Sequence, residues 1–171
     1  MNRYLYLVRH GIAETESATR HDADRCLTEA GSQRMRRAAA GLKRLGVIPD
    51  AVLTSPLRRA EQTALILVET LAPHLQLETM VPLAPGHEPK DVLRGLGAYR
   101  HARAVMLVGH EPSLGQFASH LLTGSAAILS LEFKKGAVIA IAVATLPPHA
   151  AGTLEWFLTP KQLRAVARRG R

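Results

Sequence analysis

The chain has 171 residues, a formal net charge of +8 at neutral pH and 47% hydrophobic residues, which suits one domain with its own core, expected to span residues 1–171. No stretch approaches the ~20 apolar residues that a membrane-crossing helix takes. The lone cysteine, Cys26, excludes an internal disulfide and is read as a small semi-buried residue. The opening Met1-Asn2-Arg3-Tyr4 lacks the layout of a secretory leader, so a cytoplasmic protein is expected.

The positive excess admits nucleic acid, an anionic surface or phosphorylated substrates as partners. Arg164, Arg168, Arg169 and Arg171 crowd the last eight residues, and Arg34, Arg36, Arg37, Lys43 and Arg44 lie along one expected helix. Neither run is interleaved with aromatic residues, of which the chain has only three Phe, three Tyr and one Trp. Stacking-based nucleic-acid recognition is therefore not expected, and solvated helix faces with a frayed basic tail account for most of this charge.

In chain order, Leu5-Tyr6-Leu7-Val8 reads as a buried strand that stops on Arg9-His10-Gly11. At the carboxyl end of such a strand, an arginine offers a donor fork shaped for phosphate. The histidine adds a nitrogen reactive near neutral pH, and the glycine a bend that lets a ligand approach. Ile12 to Asp24 is polar and irregular, a loop over that edge. A helix follows with Thr28 as N-cap, Glu29 in its first turn, an apolar stripe through Met35, Ala38, Ala39, Leu42 and Leu45, and a stop at Gly46. Arg25, just before it, is read as a further anion ligand.

Ala51 to Thr54 is the second strand. Ser55-Pro56 turns it into a helix, with Ser55 expected at the N-cap and Pro56 at the first helical position. Two arginines at a helix's positive end go against the macrodipole by several tenths of a kcal/mol, roughly, which points to an anion nearby. Arg58 is assigned to that anion and Arg59 to solvent. Leu75 to Val81 alternates like a short strand, Leu83 to Pro89 is a loop, and Pro89 to Leu96 a short helix. The strand Ala104 to Val108 again stops on a histidine, in Gly109-His110-Glu111-Pro112, before a helix that runs to Gly124. Two histidines at equivalent strand ends are hard to explain as packing. From Ile128 the pattern turns to β: Leu129 to Phe133, a Lys134-Lys135-Gly136 turn, Val138 to Ala144 and Leu154 to Leu158, the first two read as a hairpin. A last helix starts at Pro160. The expected fold is a three-layer α/β sandwich, its sheet mostly parallel with an antiparallel edge.

Three pieces, Leu7-Val8-Arg9-His10-Gly11, Thr54-Ser55-Pro56-Leu57-Arg58-Arg59-Ala60-Glu61-Gln62-Thr63 and Val108-Gly109-His110-Glu111-Pro112, resemble in order and spacing the motifs of the histidine phosphatase superfamily, with its phosphoglycerate mutase-like fold. The Arg25-x-Leu27-Thr28-x-x-Gly31 stretch and the closing Thr159-Pro160 segment are most similar to its SixA-type branch of protein phosphohistidine phosphatases. The resemblance implies that His10 is the nucleophile and that Arg9, Arg58 and His110 form the phosphate pocket, with no metal and no cofactor. It implies a covalent phosphohistidine enzyme, and as partners phosphate and a phosphohistidine-bearing protein such as a phosphotransfer domain or phosphocarrier, without nucleic acid or membrane. Ester-cleaving relatives place a glutamate between the second and third motifs as general acid; Leu83 to Pro89 has no clear counterpart, Glu88 being nearest. A protonated imidazole leaves without such help, so the absence favours an N–P bond. The alternatives are a broad phosphomonoesterase for small molecules and a phosphoprotein-binding module without turnover.

Overall fold

The computed structural model describes residues 2–15 and 21–168. The rest of the loop expected between Ile12 and Asp24, and Arg169 and Arg171 of the basic tail, lie outside the described residues. The described chain folds around one sheet of six strands: β1 (Arg3–Arg9), β2 (Ala51–Thr54), β3 (Glu78–Thr79), β4 (Ala104–Gly109), β5 (Val138–Val143) and β6 (Thr153–Leu158), in the spatial order β3-β2-β4-β1-β5-β6. The first four are mutually parallel, while β5 pairs antiparallel with β1, and β6 antiparallel with β5. The helices are α1 (Glu29–Arg44), α2 (Arg58–Leu71), α3 (Pro89–Leu96), α4 (Ser113–Thr123) and α5 (Pro160–Arg168).

Side chains alternate across a strand, and the central strands are apolar on both faces. Tyr6, Val8, Val52, Met106, Val108, Val138 and Ala140 pack with α1, α2 and Leu163 of α5. Leu5, Leu7, Leu53, Val105, Leu107, Ile139 and Ile141 pack with Val92 and Leu96 of α3 and Leu114, Phe117 and Leu121 of α4. The result is the expected three-layer sandwich.

Thr28 caps α1 as its position suggests, its hydroxyl accepting from the Gly31 N–H at 2.9 Å. Gly31 also lets α1 pass the exit of β1, since a Cβ there would lie 2.1 Å from the Ile12 carbonyl oxygen. Gly46, at φ +75°, follows the helix in the left-handed region.

Three expectations are corrected. Ser55 does not cap α2, which begins at Arg58 with Leu57 at the N-cap; the Ser55 hydroxyl is engaged by a histidine, as described below. Leu75 to Val81 forms a strand only at Glu78–Thr79, because the pairing is limited to Leu53 and Thr54 at the end of the four-residue β2. Leu129 to Phe133 is not a strand and makes no hairpin with β5, both of whose edges are already taken by β1 and β6.

Candidate active site

Adjacent parallel strands carry the two histidines to one place. Arg9 of β1 lies opposite Gly109 of β4, and the His10 N–H donates to the Gly109 carbonyl at 3.1 Å. The residues following each strand, His10 and His110, therefore face each other with ring centroids 5.0 Å apart. Both are buried, 5% and 3% exposed. The Lys134-Lys135-Gly136 turn closes over this edge, the Gly136 N–H donating to the carbonyls of Arg9 at 3.0 Å and His10 at 3.1 Å. From the other side, the Gly11 N–H donates to the Thr63 hydroxyl of α2 at 3.0 Å, and that hydroxyl donates to the Arg59 carbonyl at 2.7 Å.

The rings are wired through opposite nitrogens. His10 Nδ1 lies 2.7 Å from the Gly11 carbonyl oxygen; a carbonyl only accepts, so Nδ1 carries the proton and Nε2 keeps its lone pair. Burial drives the His10 pKa down to about 4; the Gly11 hydrogen bond works against this, and the charges of Arg59, Arg9 and Lys135 add to it. His110 instead places Nε2 2.8 Å from the Ser55 hydroxyl, whose oxygen also accepts from the Leu57 N–H at 3.2 Å. When the Ser55 hydroxyl donates to Nε2, His110 carries its proton on Nδ1, the tautomer that suits an anion beside that atom. The His110 pKa is lowered to about 3, by burial first and then by His10 and Arg59. Both imidazoles are neutral at pH 7.

The two arginines of α2 exchange the places expected of them. Arg58 is half-exposed and pairs with Glu61 at 2.9 Å, whereas Arg59 is buried, 6% exposed, and its charge acts on both histidines. Successive helical residues are turned by about 100°. Arg59 shares its face with Thr63 and Leu67, both buried, and Arg58 does not. A buried guanidinium needs a counter-charge. Asp22 supplies it, its Oδ2 2.9 Å from Arg59 Nη2 and its backbone carbonyl 2.7 Å from Nη1. Burial tends to raise the Asp22 pKa, but Arg59 and Arg25 outweigh it and hold the carboxyl below its ordinary value. Arg25 lies beside the site with Nη1 on Asp22 Oδ1 at 2.7 Å and Nε on the Glu14 carbonyl at 2.8 Å. Arg9 Nη1 donates to the Phe133 carbonyl at 2.5 Å.

Among the described residues, the buried side-chain polar atoms without a hydrogen-bond partner are Arg9 Nε, Arg59 Nε and His110 Nδ1. Unpaired buried polar atoms are costly and rare. All three are nitrogens, and all belong to residues grouped around His10. A tetrahedral oxyanion would satisfy such donors and suit the positive field of the two guanidinium groups.

Carboxylates that could deliver a proton are engaged elsewhere. Glu88 is exposed and pairs with Lys90 at 2.6 Å. Glu111 accepts from the Phe133 N–H at 2.7 Å and more loosely from the Gly115 N–H at 3.4 Å. Sequence reasoning missed Ser55, Asp22, Arg59 and Thr63 as parts of the site. The i, i+4, i+8 run of Arg59, Thr63 and Leu67 was the available signal for Arg59; Asp22 had none, since only the fold brings its loop to α2.

The model of the histidine phosphatase superfamily (branch 1) matches residues 5–83. An uncharacterized protein of Picosynechococcus is 36% identical over 93% of this chain and 98% of its own. The phosphohistidine phosphatase SixA of Escherichia coli is 29% identical over 94% of this chain and 96% of its own. Among solved structures, the protein histidine phosphatase SixA complexed with tungstate superposes with a TM-score of 0.81 at 27% identity, covering 94% of this chain and 99% of that one. The chain belongs to the histidine phosphatase superfamily and is SixA-like within it. It is accordingly a phosphatase, a hydrolase. No helix among the described residues is long and apolar enough to cross a membrane.

Proposed function

We propose that the 171 residues act as one phosphatase domain that hydrolyses the N–P bond of phosphohistidine in a partner protein, with His10 as nucleophile. The observation that carries this reading is the set of buried partnerless nitrogens, Arg9 Nε, Arg59 Nε and His110 Nδ1, around a neutral imidazole whose Nδ1 is tied to Gly11. His10 Nε2 attacks phosphorus in line; the bond from phosphorus to the substrate imidazole breaks, and the departing nitrogen leaves protonated, its proton drawn from solvent. Arg9, Arg59 and His110 hold the equatorial oxygens, where charge rearranges in the transition state. Arg25 keeps Asp22 in place for Arg59 and adds its charge to the field. Water then attacks the phosphorylated His10, releasing phosphate and restoring the neutral ring. Tungstate, named with the SixA structure, is a tetrahedral dianion with the shape of phosphate.

The engagement of Glu88 and Glu111 in other contacts supports an N–P rather than an ester substrate, because an alkoxide leaves poorly without a positioned acid. The test offers a phosphohistidine-bearing phosphotransfer domain and a panel of phosphate esters side by side. The expected result is a kcat/KM for the phosphoprotein that exceeds every ester by at least about 100-fold, ~2.7 kcal/mol of differential transition-state binding. Equal or better turnover of an ester would replace this reading with the small-molecule phosphomonoesterase.

A further inference from the structure

Beside the histidines, a cleft of about 190 Å³ opens between the start of β1's exit loop, α1, the Lys134-Lys135-Gly136 turn and α5. It is lined by Gly11, Gly31 and Met35 and by five cations: Arg34 from α1, Lys134 and Lys135 from the turn, and Lys161 and Arg164 from α5. Among the described residues none of the five has an acidic partner within ion-pair distance, although Arg25, Arg36, Arg58, Arg59, Lys90 and Arg94 all do. Cations without an acidic partner also occur elsewhere in the described residues, Arg37 and Arg103 among them, but five of them line this one cleft.

That gathering is held rigidly. Leu163 of α5 is fully buried, and a Cβ on Gly41 would lie 2.1 Å from its carbonyl oxygen, so α5 rests directly on the backbone of α1. Lys161 sits in the first turn of α5, which contains no acidic residue, at the end where the macrodipole disfavours a cation. Arg164 is partly buried, and burial together with Arg34, Arg168 and Arg37 lowers its pKa. Self-repulsion of this kind is relieved by an anionic ligand. The cleft also runs into the site, because Gly11 follows His10 and the turn bearing Lys134 and Lys135 is bonded to the Arg9 and His10 carbonyls through Gly136.

We propose that this cleft docks an acidic segment, a run of Asp and Glu side chains, on the surface of the phosphohistidine-bearing protein next to its modified residue. This names the partner of the site described above, and so rests on that reading. Charge complementarity would steer the partner and lower KM, leaving the chemical step unchanged. No aromatic residue lines the cleft, which separates it from a base-stacking surface for single-stranded nucleic acid.

The test uses the full chain and its Lys161→Glu/Arg164→Glu double variant at low ionic strength, with three probes: an acidic phosphohistidine domain, free phosphohistidine, and a fluorescent Glu-rich peptide followed by anisotropy. Expected for the variant are a KM for the domain raised at least about tenfold with kcat unchanged, kcat/KM for free phosphohistidine within about twofold of the parent, and loss of peptide binding. In the parent, added salt should raise KM for the domain and leave free phosphohistidine unaffected, as screening weakens exposed charge pairs. Equal effects on both substrates, or none on either, would overturn the docking role. So would an oligonucleotide of matched charge that displaces the peptide from the cleft and binds more tightly. If the parent turned over neither N–P substrate, the catalytic reading would fall while the peptide measurement still decided the cleft.

Discussion

His10 and His110 follow neighbouring parallel strands, are similarly buried and are both neutral, yet each is bonded through the nitrogen the other leaves open. Tied to a backbone carbonyl at Nδ1, His10 has an Nε2 lone pair free to attack. Tied to the Ser55 hydroxyl at Nε2, His110 has a buried Nδ1 with no hydrogen-bond partner. In the proposed reaction one scaffold position, repeated on β1 and β4, thus serves as nucleophile and as donor according to the partner that meets the ring: the adjacent Gly11 carbonyl for His10, the distant Ser55 hydroxyl for His110. Burial cannot make the distinction, since it lowers both pKa values.

The largest effect should come from breaking this asymmetry at His10. His10→Ala is expected to lower kcat/KM by more than about 1,000-fold, ~4 kcal/mol on the barrier, and to abolish acid-labile 32P labelling of the protein. His110→Ala should cost about 10² to 10³, as for one lost oxyanion donor, while the label still accumulates on His10. Label persisting in His10→Ala, or vanishing in His110→Ala under single-turnover conditions, would undo the assignment of roles.

Arg58 and Arg59 form a second unequal pair. Arg59→Ala removes a buried cation that acts on both histidines and leaves Asp22 without one of its two guanidinium partners. A loss of about 10² to 10³ in kcat/KM is expected. Arg58→Ala removes an exposed ion pair with Glu61, of the kind that contributes ~0 to 1 kcal/mol, and should change activity less than about threefold. Steady-state kinetics on the two variants, with circular dichroism as a check on folding, would show whether the structure or the sequence reading chose the right arginine.

This pair also shows what can be read from sequence and what cannot. The strands ending in Arg9-His10-Gly11 and Gly109-His110, the Thr28 cap, the Gly46 stop and the helix from Pro89 to Leu96 follow from local patterns, and the structure contains each of them. The resemblance puts Arg58 in the phosphate pocket, whereas the helical face shared with Thr63 and Leu67 turns Arg59 inward. Ser55 itself is diverted by His110, a contact made across 55 residues. Leu129 to Phe133 has strand-like composition, but strand pairing depends on a free edge, and β5 has none. Local chemistry placed the histidines and tied His10 to Gly11; a long-range contact with Ser55 decided the wiring of His110.

A pH experiment would sharpen the comparison of the two imidazoles. Their folded pKa values, about 4 and about 3, lie below the 6.5 of an unfolded histidine. Below pH 6.5 the unfolded chain takes up protons that the native rings refuse, so stability falls with pH by up to ~1.4 kcal/mol per pH unit for each histidine, until the folded pKa is reached. Above pH 6.5 neither ring contributes a slope. Denaturant midpoints from pH 7 to pH 4 should therefore decline, and His10→Gln/His110→Gln should flatten part of that decline. Proton NMR should find neither native ring titrating above about pH 5; a midpoint near 6.5 for either would remove the burial argument.

The smallest expected effects belong to the carboxylates, and they bear on the leaving group. Glu88 lies at the start of α3, exposed and paired with Lys90. Glu111 is partly buried, which raises its pKa, while the Phe133 and Gly115 N–H groups and the Arg9 charge work to lower it. Its carboxylate oxygens accept those N–H bonds, and the Phe133 carbonyl in turn receives Arg9. Glu111 is thus positioned to steady Arg9 through the Phe133 backbone, and a glutamine side chain would keep an oxygen for the Phe133 N–H. Glu88→Gln should change kcat on phosphohistidine less than about twofold and Glu111→Gln less than tenfold, under the ~1.4 kcal/mol that tenfold represents. A general acid contributes ~10² to 10⁴, so the two cases are well separated. Glu14 is the control, its backbone N–H bonded to the Cys26 carbonyl at 2.9 Å. A hundredfold loss in Glu111→Gln with phosphate affinity retained would show that a carboxylate protonates the leaving group, and an ester would then become the better substrate.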